Sequence, residues 1–187
     1  MNRIPNILSG FRILTVPFLL FLAWKGYRSG FIGLLLISLL TDAVDGYIAR
    51  KFNVASNLGT KLDSWGDMAI YLTIPLCAWW LYPEIIKQEA LFVLMALVAY
   101  IAPLLAGLLK FKRIPSYHTY GAKIAAVFMS TSIFILFITR STWVFRCATV
   151  FQVLVALEEI WITIRLPELQ SNVKSFRHIS VPHGQDG

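Results

Sequence analysis

Long apolar runs alternate with short polar breaks along the chain, and the breaks carry most of the charge. Six runs stand out, over residues 7–24, 30–49, 58–81, 90–109, 122–139 and 143–164. Each is close to the roughly 20 residues that a helix needs to cross the hydrocarbon core of a bilayer. Their apolar character is continuous rather than alternating, which excludes the strands of a membrane barrel. The pattern predicts an all-α, polytopic membrane protein built as a bundle of six transmembrane helices. The first run contains Pro17, has Arg12 near its start and is followed by Trp24-Lys25-Gly26. No small-x-small cleavage site ends it, so it reads as a span rather than a secretory signal. Residues 1–166 form the expected membrane domain. Residues 167–187 are polar, hold no membrane-type run and read as a surface tail.

Composition agrees with this pattern. The chain is 57% hydrophobic and 14% charged, against roughly 25% charged residues in soluble domains. Its 187 residues leave no room for a second membrane domain. A net charge of +7 raises the question of nucleic acid. The basic residues cluster at the ends of apolar runs, which is the pattern of cytoplasmic loops, so no nucleic-acid partner is expected. Cys77 and Cys147 both fall inside apolar runs and read as small packing residues.

The basic residues also orient the chain. With six spans, both termini share a side with the second-to-third and fourth-to-fifth connections. That side holds twelve of the 17 lysines and arginines, and the other holds five: Lys25, Arg28, Lys87, Arg140 and Arg146. The excess places both termini in the cytoplasm.

The chemistry concentrates at one polar break. Four of the ten acidic residues, Asp42, Asp45, Asp63 and Asp67, fall within 26 positions where the second span ends and the third begins. Acids so close to membrane sequence are costly and mark a metal, a proton path or a substrate. On a helix, Asp42, Asp45 and Ala49 share one face, as do Gly59, Asp63 and Asp67. Two such helices can bring four carboxylates together, and these cannot all ionise without a compensating charge. Divalent cations supply it, and all-oxygen ligands favour Mg²⁺ or Mn²⁺, with charge enough for two ions. Gly46 and Gly59 permit close backbone approach, and Arg50 offers a bidentate phosphate clamp. Taken singly, each glycine reads as a helix-packing residue before a ligand contact, and Arg50 as a positive-inside anchor before a phosphate clamp. The set suggests a phosphate-bearing substrate that is itself part lipid, handled at the cytoplasmic membrane surface.

In full, the spacing is Asp-x2-Asp-Gly-x2-Ala-Arg-x8-Gly-x3-Asp-x3-Asp, filled by Asp42, Asp45, Gly46, Ala49, Arg50, Gly59, Asp63 and Asp67. It resembles the signature of the CDP-alcohol phosphatidyltransferase family at every position and gap. The resemblance implies transfer of a phosphatidyl or phosphoalcohol group from a CDP-linked lipid donor to a small alcohol, with release of CMP. It implies that Asp42, Asp45, Asp63 and Asp67 ligate the metals and that Asp67 is also the general base. It further implies that Gly46 and Arg50 contact the CDP moiety, with Ser56 near the nucleotide. Asn6 and Ser9 match the family's polar entry to the first helix, which borders the nucleotide. They read equally as helix caps. The family is typically homodimeric.

The acceptor is less defined. Residues 5–14 and 45–51 look like phosphatidylglycerophosphate synthases, which act on glycerol 3-phosphate. Those enzymes usually have Pro-x-Ala-Asp-Lys where this chain has Ser64-Trp65-Gly66-Asp67-Met68. The Asp63-Ser64 pair leans toward serine synthase-like members. Serine, inositol phosphate, or a CDP-choline or CDP-ethanolamine donor therefore stay open. Lys110, Lys112, Arg113 and Lys123 form a basic cluster that either binds a phosphorylated acceptor or simply marks the cytoplasmic side. His118 has no partner at metal-ligand spacing. Glu158 and Glu159, inside the sixth span, are either functional or paired within the bundle. Outside this class, a cation or proton transporter would also place carboxylates in the membrane. It would leave Gly46 and Arg50 without a role.

Overall fold

The structure is a computed structural model. It describes residues 4–52, 57–112 and 119–166, with side chains at 13–41, 65, 66, 68–112 and 119–166. Among these residues every regular element is helical: α1 (Ile4–Trp24), α2 (Arg28–Phe52), α3 (Asn57–Leu81), α4 (Pro83–Gln88), α5 (Ala90–Phe111), α6 (Tyr120–Thr139) and α7 (Trp143–Arg165). Each of the six expected runs falls on one long helix. The short α4 has no counterpart in the sequence analysis. Pro83 occupies its first position, where a missing N–H costs nothing, with Glu84 in the first turn and Lys87 in the last.

Among the residues described with side chains, three helices, α5, α6 and α7, are long and apolar enough to cross a membrane. Ile13–Trp24, Arg28–Thr41 and Met68–Leu81 are shorter apolar helical segments among the described residues. The helices form two compact units, α1–α4 and α5–α7.

In the first unit α1 packs against both α2 and α3. Its buried face is Thr15, Leu19 and Ala23, spaced four apart. The buried residues Phe31, Leu35 and Ser38 line one face of α2, and Ile70, Cys77 and Leu81 one face of α3. The Cys77 thiol donates weakly to the Leu19 carbonyl at 3.8 Å, which ties α3 to α1. Phe18, Phe21, Leu36, Ile37, Leu72 and Leu76 face outward, a surface suited to lipid rather than water. A Schellman turn ends α1. Tyr27 N–H donates to Leu22 O and Gly26 N–H to Ala23 O, at 2.9 and 3.0 Å. Gly26 takes the required left-handed conformation at φ +76°.

In the second unit α7 is the shared strut, packed on α5 and α6. The buried positions of α5 are Ala96, Ala99, Pro103 and Gly107, all compact residues that let α7 come close. Gln152 of α7 donates to the Ala96 carbonyl at 3.3 Å. Thr119 caps α6 by accepting from Ala122 N–H at 3.0 Å. Lys112 and Arg140 end α5 and α6 in left-handed conformations, and both place positive charge at a helix C-terminus. Cys147 lies on the exposed side of α7. It is therefore not the packing residue that its apolar surroundings suggest.

A buried ion pair joins the start of α5 to the start of α7. Arg146 Nε donates to Glu89 Oε2 at 2.8 Å and Nη2 to Oε1 at 2.6 Å. The Glu89 side chain is fully buried, whereas Arg146 stays 33% exposed. The guanidinium also lies over the rings of Phe92 and Trp143, at 5.3 and 5.8 Å.

Candidate functional site

The motif straddles α2 and α3. Asp42, Asp45, Gly46, Ala49 and Arg50 lie in the C-terminal half of α2, and Gly59, Asp63 and Asp67 in the N-terminal half of α3. The side chains of these eight residues lie outside the described part, but backbone register connects their positions to described neighbours. At 3.6 residues per turn, positions 42 and 45 fall within about 40° of the face set by Phe31, and position 49 on it. That face is buried as far as Ser38. On α3, position 63 falls about 20°, and position 67 about 60°, from the face of Ile70, with Gly66 buried between them. The exposed residues, Leu36, Ile37 and Leu40 on α2 and Trp65, Leu72 and Leu76 on α3, lie on the other sides. All four aspartate positions thus continue the faces that carry each helix's buried residues. Carboxylates at such positions need a compensating charge or hydrogen-bond donors.

One donor is close by. Ser38 precedes Asp42 by one helical turn, on the same face. Its hydroxyl is buried and has no hydrogen-bond partner. An unpaired buried hydroxyl costs about 1–3 kcal/mol, and nothing in the sequence set Ser38 apart from the other hydroxyl residues of the apolar runs.

The remaining candidates divide by location. Asn6 and Ser9 belong to the first turns of α1, which begins at Ile4, so neither precedes the helix as a cap residue does. Ser56, Arg113 and His118 lie outside the described residues. The Lys110 ammonium donates to the carbonyls of Thr163 and Ile164, at 3.0 and 2.7 Å. It thereby caps the C-terminus of α7, a structural role that needs no acceptor. Lys112 and Lys123 are exposed, at the end of α5 and the start of α6. Glu158 approaches α6 at Gly121: a Cβ there would stand 3.3 Å from Glu158 Oε2 and 3.1 Å from Val155 Cγ2. The missing side chain of Gly121 is what brings this carboxylate against the first turn of α6, where helix polarity favours it. Among the described residues no group of three or more His, Cys, Asp or Glu side chains could hold a metal.

Comparison with known proteins gives the class. A family model described as CDP-alcohol phosphatidyltransferase matches residues 2–164, which reach from α1 into the last turn of α7 and include the whole motif. The chain belongs to the CDP-alcohol phosphatidyltransferase family. Membership in this transferase family replaces the transporter reading. A protein of Mycobacterium tuberculosis named putative cardiolipin synthase is 29% identical over 96 residues, 47% of this chain and 46% of that protein. A CDP-diacylglycerol–glycerol-3-phosphate 3-phosphatidyltransferase of Rickettsia typhi is 36% identical over 70 residues, 36% of this chain and 39% of that protein. A CDP-diacylglycerol–inositol 3-phosphatidyltransferase of Saccharomyces cerevisiae is 42% identical over 60 residues, 32% of this chain and 27% of that protein. The match spans less than half the length of each of these relatives. No solved structure matches the chain.

The residues fit a divalent cation. The donor set is carboxylate oxygen throughout, the chemistry that Mg²⁺ and Mn²⁺ select. An orphaned hydroxyl lies one turn away on the same face.

Proposed function

We propose that the chain is an integral membrane phosphatidyltransferase that moves a phosphatidyl group from CDP-diacylglycerol to a hydroxyl of glycerol 3-phosphate, releasing CMP. The observation that carries this is the complete family motif, whose four aspartate positions continue the buried faces of α2 and α3. In this reading Asp42, Asp45, Asp63 and Asp67 hold one or two Mg²⁺ or Mn²⁺ ions. When bound, the ions neutralise the diphosphate and stabilise the departing CMP. Arg50 clamps a phosphate of the donor, and Gly46 lets the nucleotide approach the backbone of α2. Asn6, Ser9 and Ser56 complete the nucleotide site. Asp67 takes the proton of the acceptor hydroxyl. The hydroxyl oxygen then bonds to the phosphorus that carries the diacylglycerol, and the bond from that phosphorus to the CMP oxygen breaks.

The placement suits such a donor, whose acyl chains remain in lipid while its nucleotide is in water. The same reading has six spans, with α1, α2 and α3 joining α5, α6 and α7 in the membrane. Both termini and the aspartates lie on the cytoplasmic side, where twelve of the 17 basic residues are expected. A homodimer accompanies it.

Lys112, Arg113 and Lys123 are the basic residues left to meet a phosphorylated acceptor, since Lys110 is engaged with α7. A second acceptor class, the glycerol hydroxyl of a phospholipid, is favoured by the cardiolipin synthase names of several relatives. Purified full-length protein, given CDP-diacylglycerol, a divalent metal and one acceptor at a time, decides between them. Glycerol 3-phosphate is expected to support CMP release at least tenfold above serine, inositol phosphate and phosphatidylglycerol. Faster release with any of those would reassign the acceptor.

A further inference from the structure

We propose that the end of the first unit opposite the aspartate motif binds the phosphate of an anionic phospholipid, held by Lys25 and Arg28 among exposed aromatic side chains. The inference goes beyond the transferase reading and needs only its membrane placement.

Three helix ends meet there, because α1 packs against both α2 and α3. The first ends at Trp24, the second begins at Arg28 and the third ends at Leu81. Arg28 reaches across this end, with its guanidinium carbon 4.9 Å from the ring centroid of Tyr82. Tyr82 is itself buried, so the cation rests on a fixed part of the fold. A guanidinium stacked on its face keeps the N–H donors of its edge for a phosphate. On the other side of the Gly26-Tyr27 turn, the Lys25 ammonium stands 4.6 Å from the Trp24 ring centroid. Among the described residues neither cation is in an ion pair. The first turn of α2 contains no acid. The charges of α4, Glu84 and Lys87, are three positions apart and offset each other. Lys25 and Arg28 also lie outside the twelve basic residues whose excess orients the chain, so that excess does not account for them. The pair is left as positive charge without a countercharge.

The surroundings select a lipid as the source of the anion. Trp24, Tyr27, Trp79 and Trp80 at this end are 66%, 60%, 49% and 42% exposed. Tryptophan and tyrosine at helix ends mark the depth of the lipid headgroups. One turn further into the unit, Phe21 and Leu76 are exposed apolar side chains. An anion that brings acyl chains with it satisfies the cations and covers this apolar surface, which a free anion does not.

The test titrates phosphatidic acid or phosphatidylcholine into the full chain in detergent, with a chelator present, and counts bound lipid by native mass spectrometry. Phosphatidic acid has no alcohol to serve as an acceptor. Wild type is expected to bind phosphatidic acid at least about tenfold more tightly than phosphatidylcholine. Lys25→Gln/Arg28→Gln should weaken phosphatidic acid binding at least about tenfold, as expected for two interfacial charges, and leave phosphatidylcholine unchanged. Lys25→Gln alone leaves Arg28 on Tyr82 and should give a loss of roughly fivefold. That variant decides the matter if the double variant melts below wild type. Equal affinity of wild type for the two lipids, or unaltered phosphatidic acid binding in the folded variants, would overturn the proposal. Displacement of the lipid by inorganic phosphate at equal concentration would overturn it too, because the site would then be one for a free anion. The readout needs no turnover, so its failure is distinct from failure of the transferase reading.

Discussion

Replacing Asp67 with asparagine is expected to cut transfer by at least about 10³-fold and leave the fold intact. A positioned general base contributes about 10²–10⁴-fold, and the amide oxygen is also a poorer, uncharged ligand for a hard cation. Asparagine has nearly the same size and can still occupy position 67. The Cys77 thiol that ties α3 to the Leu19 carbonyl of α1, and the buried residues Ile70 and Leu81, lie further along the helix and are untouched. CMP release and a thermal melt on the same preparation check both halves. Turnover near wild type would remove Asp67 as the base. An inactive protein that also melts well below wild type would show a structural role instead.

The second large effect is on stability. Arg146→Ala would leave the Glu89 carboxylate buried with no cation, and breaking such a pair from one side is strongly destabilising. For a chain of this size the melting temperature is expected to fall by roughly 10 °C. The loss is large because the pair is bidentate and its carboxylate is fully buried. The Phe92 and Trp143 rings that flank the guanidinium would also lose their cation. The double variant Glu89→Leu/Arg146→Met should recover much of the loss, since an apolar pair carries no desolvation cost. A single variant that melts within 2 °C of wild type (about the effect of 1 kcal/mol or less) would show that the pair is not a staple between α5 and α7.

That ion pair was invisible in the sequence, and the reason is physical. Glu89 and Arg146 are 57 positions apart, each at a polar break, and local periodicity carries no information about which breaks meet in space. For the same reason Lys110 read only as part of a basic cluster, although its ammonium caps α7 from 53 positions away. Ser38 was hidden differently. A hydroxyl in an apolar run usually satisfies itself within its helix, so only the structure reveals the one that does not. What local pattern does encode was legible. The long helices follow the apolar runs, and the expectation that Asp42 and Asp45 share a face agrees with the register set by Phe31, Leu35 and Ser38. The short α4 was missed because six residues beginning at Pro83 look like a connection.

CMP release from CDP-diacylglycerol by the purified full chain, with glycerol 3-phosphate and either Mg²⁺ or Mn²⁺, tests the central claim most directly. Release that stops on chelation and returns when the metal is restored is the predicted result. Folded protein that releases no CMP with any acceptor, and binds neither CDP nor divalent metal, would contradict it.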